Sequence, residues 1–133
     1  MNKFFDELET RAPETRECAL MALLPQQIAN AQKNTSAFAQ LLKDVDARTI
    51  TSRQALESLP VTRKSELQTL QKAGQDSDVF GGFSALVRGP RMPRLFSSPG
   101  PIYEPEGTAK DYWRAGRAMY AAGFRAGNLA HNS

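Results

Sequence analysis

With 133 residues, 41% of them hydrophobic and 23% charged, the chain has the length of one domain and the balance of a folded protein, which excludes wholesale disorder. Its net charge of +3 comes from 17 Lys plus Arg interleaved with 14 Asp plus Glu, a field too weak to single out nucleic acid as a partner. No stretch approaches the roughly 18 apolar residues of a membrane span, the acidic opening does not suit a secretory signal, and a lone Cys18 excludes an internal disulfide, so a cytoplasmic protein without a membrane partner is expected.

Residues 3 to 11 read as a short amphipathic opening with Phe4, Phe5 and Leu8 on one side. Pro13 suits the first turn of a helix, with Glu14 and Glu17 near its positive end. Leu20, Leu24, Ile28 and Ala31 form one apolar stripe, and Pro25 predicts a kink or two abutting helices near Leu24. Asn34, Thr35 and Ser36 supply a cap for a second helix that carries Phe38, Leu41, Leu42 and Val45. Thr51 with Gln54 then marks the start of a short helix closed by Pro60. Thr62 marks the next, with Leu67 and Leu70 inward and a stop by Gly74.

Beyond residue 75 the composition turns to glycine and proline. Phe83 to Arg88 and Arg94 to Ser98 are the plausible strands, and they pair as a ribbon if the chain turns over Gly89 to Pro93. The stretch Leu95 to Gly107, with three prolines and two glycines, reads as a strand that ends in a rigid exposed loop. Thr108 with Asp111 opens the last helix, on which Tyr112, Trp113, Gly116, Met119, Tyr120 and Gly123 share a face. The two glycines there suggest close approach of another backbone, and Gly123 also suits the helix end. Arg125 to Asn128 reads as a tight turn and Leu129 to Asn132 as the start of a strand. A strand so close to Ser133 has little room to pair, so the chain reads as the amino-terminal piece of a longer protein.

Three stretches, in order, resemble the amino-terminal part of the phenylacetate-CoA ligase family of adenylate-forming enzymes. Leu59-Pro60-Val61-Thr62-Arg63-Lys64-Ser65-Glu66-Leu67 is similar to the family's Leu-Pro-aromatic-Thr-Thr-Lys-acidic-acidic-Leu segment. Ser97-Ser98 follows a strand where the family has a phosphate loop. Ala121-Ala122-Gly123-Phe124-Arg125-Ala126-Gly127-Asn128-Leu129-Ala130-His131-Asn132 resembles the family's Ala-Ala-Gly-x-x-x-Gly-Asp-x-x-x-Asn. The resemblance implies an α/β fold, present here as an α+β fragment: a helical segment over 1–75 leads into the truncated start of the adenylate-forming domain over 76–133.

It also implies an ATP-dependent acid:CoA ligase, in which a carboxylate attacks the α-phosphate of ATP and the CoA thiolate then displaces AMP. ATP, Mg and CoA are the parent enzyme's cofactors, and its substrate is an aryl or acyl carboxylic acid. By loop position Ser97, Ser98 and Gly100 are the nucleotide-binding candidates, and Tyr103 and Glu104 are candidates for a substrate wall or lid. Where the family continues Gly-Thr-Thr-Gly-Lys, this chain has Pro99-Gly100-Pro101-Ile102-Tyr103-Glu104, which removes two amide donors and adds negative charge. No catalytic residue and no metal ligand is assigned to the chain, and the fragment alone is expected to be inactive.

Three other readings compete. Short helices bearing Phe4, Phe5, Phe38 and Leu42 suit a non-catalytic interaction module, covered by the remainder of the parent chain or by a second copy in a homodimer. Arg88, Arg91 and Arg94 form a small basic cluster without stacking aromatics, a poor footprint for nucleic acid. Cys18 and His131 cannot assemble a zinc site. Cys18 reads as a small buried hydrophobe, His131 as a structural histidine, and Tyr112, Trp113 and Tyr120 as core.

Overall fold

The computed structural model of the protein describes residues 3–131. Those residues form an α+β arrangement: helices α1 (Pro13–Asn34), α2 (Ser36–Leu41), α3 (Arg53–Glu57) and α4 (Lys64–Ala73), then a two-stranded antiparallel sheet of β1 (Arg94–Ser98) and β2 (Ile102–Glu106), then α5 (Gly116–Ala121).

Pro13 sits in the first turn of α1 as its fixed φ favours. The helix then runs through Pro25 as one element instead of breaking in two. An internal proline costs a helix about 3 kcal/mol, and here the flanking turns are held by packing. Ile28 is buried with Leu42, Ala47 and Ile50, and Leu24, Ala31, Phe38, Val45, Ala55 and Leu59 pack around them. Gln32 adds two bonds, its Nε2 donating to the carbonyls of Leu42 and Val45, each at 2.8 Å. The apolar stripe starts one turn later than its spacing suggests, for Leu20 is exposed. Cys18 is likewise exposed, not a buried hydrophobe, because it lies on the turns that precede this core.

Thr35 ends α1 and starts α2. Its hydroxyl donates to the Ala31 carbonyl at 2.8 Å and accepts from the Phe38 amide at 3.3 Å. The two later caps fall one residue beyond the expected ones. Ser52, not Thr51, accepts from the Ala55 amide to start α3. Arg63, not Thr62, precedes α4, where the Glu66 carboxylate accepts the Arg63 amide at 3.0 Å. A 3-10 turn at Ala47–Thr49, capped by Asp46, was not read from sequence; it delivers Ala47 and Ile50 to the core.

Between α4 and the sheet, residues 78 to 83 join the two parts of the molecule. Asp78 Oδ2 accepts the Gly82 amide at 2.7 Å, the Gly82 carbonyl accepts the Ala37 amide at 3.0 Å, and Phe83 meets Phe38 edge to face at 5.2 Å. Phe83 to Arg88 therefore form no strand. Ser84 instead closes a local turn, its hydroxyl accepting from the Leu86 amide and donating to the Leu86 carbonyl. The true partner of β1 is β2, in the register Arg94 with Glu106 through Ser98 with Ile102. The presumed rigid loop from Leu95 to Gly107 is thus a hairpin, and its turn shrinks to Pro99, Gly100 and Pro101.

Thr108 does not open a helix. Residues 108 to 115 form turns, with Asp111 and Arg114 at φ 51° and 57°, and α5 begins at Gly116. The aromatic pair decides this. The Trp113 ring lies edge to face on Phe96 at 5.7 Å and its Nε1 donates to Glu106 at 2.9 Å. Trp113 so placed is half exposed rather than core. Asp111 makes no capping box with Thr108; it lies ahead of α5, where its Oδ1 accepts the Gly116 amide at 2.9 Å. The helix closes in a Schellman motif, Phe124 N–H to Met119 O and Gly123 N–H to Tyr120 O, with Gly123 at φ 98°.

No backbone approaches Gly123, whose freedom serves that conformation alone, and Gly116 faces the Asp111 carboxylate and the Phe5 ring. The amino-terminal stretch returns to this helix. Asp6 pairs with Arg117 at 2.7 Å, and Phe5 meets Tyr120 edge to face at 5.8 Å. The turn at Arg125–Asn128 forms as read, with Gly127 at φ 88°. Leu129 to His131 carry no regular structure, and the last residue of the strand expected there, Asn132, lies outside the described residues.

Candidate functional site

The five candidates lie on one hairpin. Ser97 and Ser98 close β1, Gly100 is the middle of the turn, and Tyr103 and Glu104 belong to β2. Register separates them. Ser97 stands opposite Tyr103 and Ser98 opposite Ile102, so Ser97 and Tyr103 share one face of the ribbon while Ser98, Ile102 and Glu104 share the other. Tyr103 and Glu104 thus leave opposite faces of the ribbon, although both line a cleft that Leu67, Phe80, Phe83 and Tyr112 also border.

Gly100 adopts φ 94°, a conformation glycine takes without strain. Its carbonyl accepts a hydrogen bond from Gln68 Nε2 of α4. One turn further along α4, the buried Gln71 pairs with the backbone of Tyr103: Nε2 donates to its carbonyl at 3.1 Å and Oε1 accepts its amide at 2.9 Å. An amide side chain is here taking the place of a third strand along the outer edge of β2. Two glutamines thereby set the position of the turn. Sequence reading missed both, because it assigned the inward side of α4 to Leu67 and Leu70; Leu70 is exposed. The available signal was Gln68 and Gln71 three apart on one helix face.

At the other end of the hairpin, Arg94 and Glu106 form an ion pair whose carboxylate also accepts Trp113 Nε1. Glu106 is not loop charge but a buried anchor, with its side chain 8% exposed. Arg94 leaves the basic cluster by this pairing, and Arg88 and Arg91 remain exposed. The guanidinium of Arg94, followed by the Trp113 N–H, holds the Glu106 carboxyl below its ordinary value of 4.5. Asp6 beside Arg117, Glu17 beside Arg53 and Asp46 beside Arg48 are shifted in the same direction.

A carboxylate with a depressed folded pKa stabilises the fold above its unfolded pKa and loses that contribution as pH falls through the folded value. The urea midpoint is therefore expected to be level above about pH 5 and to fall steadily below about pH 4.5. Glu106→Gln flattens that fall. A wild-type midpoint that stays constant down to about pH 3 would contradict this assignment.

Towards a phosphate, the turn offers the Gly100 amide, flanked by two prolines without amide hydrogens, and one serine hydroxyl on each face of the ribbon. This set suits a single phosphate group and falls short of a cradle for a triphosphate. Glu106 is committed to Arg94 and Trp113, and among the described residues no three His, Cys, Asp or Glu side chains converge on a possible metal position. No helix of the described residues is long and apolar enough to cross a membrane. The chain matches no protein-family model and no curated protein sequence.

Proposed function

We propose that this chain is the amino-terminal portion of an ATP-dependent acid:CoA ligase resembling phenylacetate-CoA ligases, inactive by itself and contributing one loop to the nucleotide site. The observation that carries the reading is the hairpin tip. Ser97 and Ser98 finish a strand and open into an exposed turn, between a helix that follows Leu59-Pro60 and the Ala121 to Asn132 segment, in the order the resemblance requires. The ligase chemistry asks this tip only to orient one phosphate by hydroxyl and amide donors. Magnesium, CoA and the carboxylic acid fall to the rest of the parent chain.

The test is AMP release by the full-length parent, supplied with ATP, Mg, CoA and a panel of aryl and acyl acids. The Ser97→Ala/Ser98→Ala double variant is expected to turn over on the order of 100-fold more slowly, as loss of oriented donors does elsewhere. Residues 1–133 alone give no product. Equal rates in parent and variant remove the tip from the reaction, and no AMP with any acid removes the ligase reading.

A second reading, a non-catalytic interaction module, is favoured by surface area. The chain exposes 10569 Å², whereas a compact monomer of 14.7 kDa exposes about 6,900 Å². Leu23, Val61, Val87 and Leu129 are all more than half exposed. Phe38 and Leu42, assigned to such a surface from sequence, instead pack in the chain's own core. In the ligase reading the remainder of the parent covers this area, and in the module reading a second copy does.

A further inference from the structure

Between α4 and the hairpin tip lies a cleft of about 410 Å³, within the range of small-molecule sites. Gln68, Lys72 and Gln75 form one wall and Gly100, Pro101 and Tyr103 the other. Its two walls are tied by side-chain amides, Gln68 to the Gly100 carbonyl and Gln71 to both backbone groups of Tyr103. The cleft is therefore braced before any ligand arrives, which lowers the ordering cost of binding.

Its charge is one-sided. No carboxylate lines it, and Lys72 is its single ionic group. The ion pairs of the described residues join other partners, which leaves the Lys72 ammonium without a counter-charge. The carbonyl end of α4 lies close by, but the Leu70 and Lys72 carbonyls are already occupied by the Gly74 and Gln75 amides at 3.0 and 3.4 Å. The Tyr103 hydroxyl and the Gly100 amide carry no protein hydrogen bond among the described residues, so both are available donors. Alone among the residues lining this cleft, Lys72 provides a cation: the segment from Leu95 to Gly107 has no Lys or Arg, and Arg94 before it is spent on Glu106.

We propose that this cleft binds a small oxyanion, a phosphate or carboxylate group, with Lys72 as counter-charge and Tyr103 as hydrogen-bond donor. Only the identification of that oxyanion with a nucleotide phosphate rests on the ligase reading. The cleft and its charge stand without it.

The test follows backbone amide chemical shifts of the 133-residue chain during titration with sodium phosphate, sodium benzoate, or sodium chloride at matched ionic strength. Phosphate or benzoate is expected to give saturable shifts at Lys72, Gly100 and Tyr103 that chloride does not. Lys72→Gln is expected to weaken the binding about tenfold while Lys72→Arg retains it, as a charge-assisted contact requires. Tyr103→Phe weakens it less. Saturation by phosphate assigns the site to a phosphate source, and saturation by benzoate alone assigns it to a carboxylic acid. Shifts that match chloride, or that survive Lys72→Gln unchanged, overturn the proposal. Phosphate binding together with a parent that releases no AMP keeps the cleft and discards the ligase reading; AMP release without binding here does the reverse.

Discussion

Gly81→Ala is expected to destabilise the chain by about 2–5 kcal/mol, the sum of left-handed backbone strain and overpacking. Gly81 stands at φ 61°, and an added Cβ would lie 2.8 Å from the Gln71 nitrogen and 2.9 Å from the Leu70 carbonyl carbon. Both are backbone atoms of α4, held by the helix's own ladder, so neither can give way as a side-chain tip would. The neighbouring Gly82 carbonyl accepts the Ala37 amide, and Phe80 is buried beside it, so displacing Gly81 also loosens the join between α4 and α2. Gly123→Ala provides the contrast. Its φ is 98° but its Cβ position is open, so only strain of about 1–2 kcal/mol applies. Urea unfolding of both variants separates packing from strain, and equal losses would show that α4 does not bear on Gly81.

Gln71→Leu is expected to cost about 2–4 kcal/mol, although the replacement is apolar, similar in volume and placed at a buried position. A hydrophobic residue there satisfies neither the Tyr103 amide nor its carbonyl, and each orphaned backbone group costs about 1–3 kcal/mol if water cannot reach it. Gln71→Glu tests the same geometry by charge. Its carboxylate can still accept from the Tyr103 amide, but it has no donor for the Tyr103 carbonyl and sets oxygen against oxygen. Hydrogen exchange at Tyr103 should accelerate in both variants while exchange at Leu42 and Ile50 changes little. A Gln71→Leu protein as stable as the parent, with Tyr103 still protected, would show that the amide pairing is incidental.

The two residues also show where sequence reading stops. The α4 pattern announced a helix with leucines inward, and a helix is there. Which side faces in was decided by the edge of β2, whose unpaired backbone groups need partners that a leucine cannot provide and a glutamine can. Within residues 64 to 73 the only hint is Gln68 and Gln71 three apart on one helix face, and what they pair with lies elsewhere in the chain. Leu20 makes the same point in reverse: its spacing fits the apolar stripe of α1, but the core begins only where α2 and the 3-10 turn meet it, from Leu24 onward.

For the candidate site, β1 with Ser97 and Ser98 at its end was legible, because a short apolar run stopped by proline leaves few alternatives. Its partner was not. The local pattern pointed to Phe83 to Arg88 as the partner and left Ile102 to Glu106, which carries Pro105, in a rigid loop. A two-stranded ribbon has only edges, so Pro105 is tolerated there, while Ser84 closes its own turn and withdraws the competing segment. The exposed loop became a hairpin, and Glu106 changed from surplus negative charge into the buried partner of Arg94 and Trp113.

What the sequence by itself determined were the chain's stops and starts: Pro13 in a first turn, Thr35 between two helices, Gly123 at a helix end, and the turn at Arg125 to Asn128. Each is set by the φ or hydrogen-bonding capacity of one residue, which no neighbour in space can alter. Tertiary structure alone decided what pairs with what. It chose β2 for β1, the turns of residues 108 to 115 over a helix, Gln71 over Leu70 as the inward residue, and the cleft that places Lys72 beside Gly100 and Tyr103. Those outcomes depend on burying rings and satisfying backbone groups contributed by segments some thirty residues apart along the chain, and such energies exist only once the segments meet.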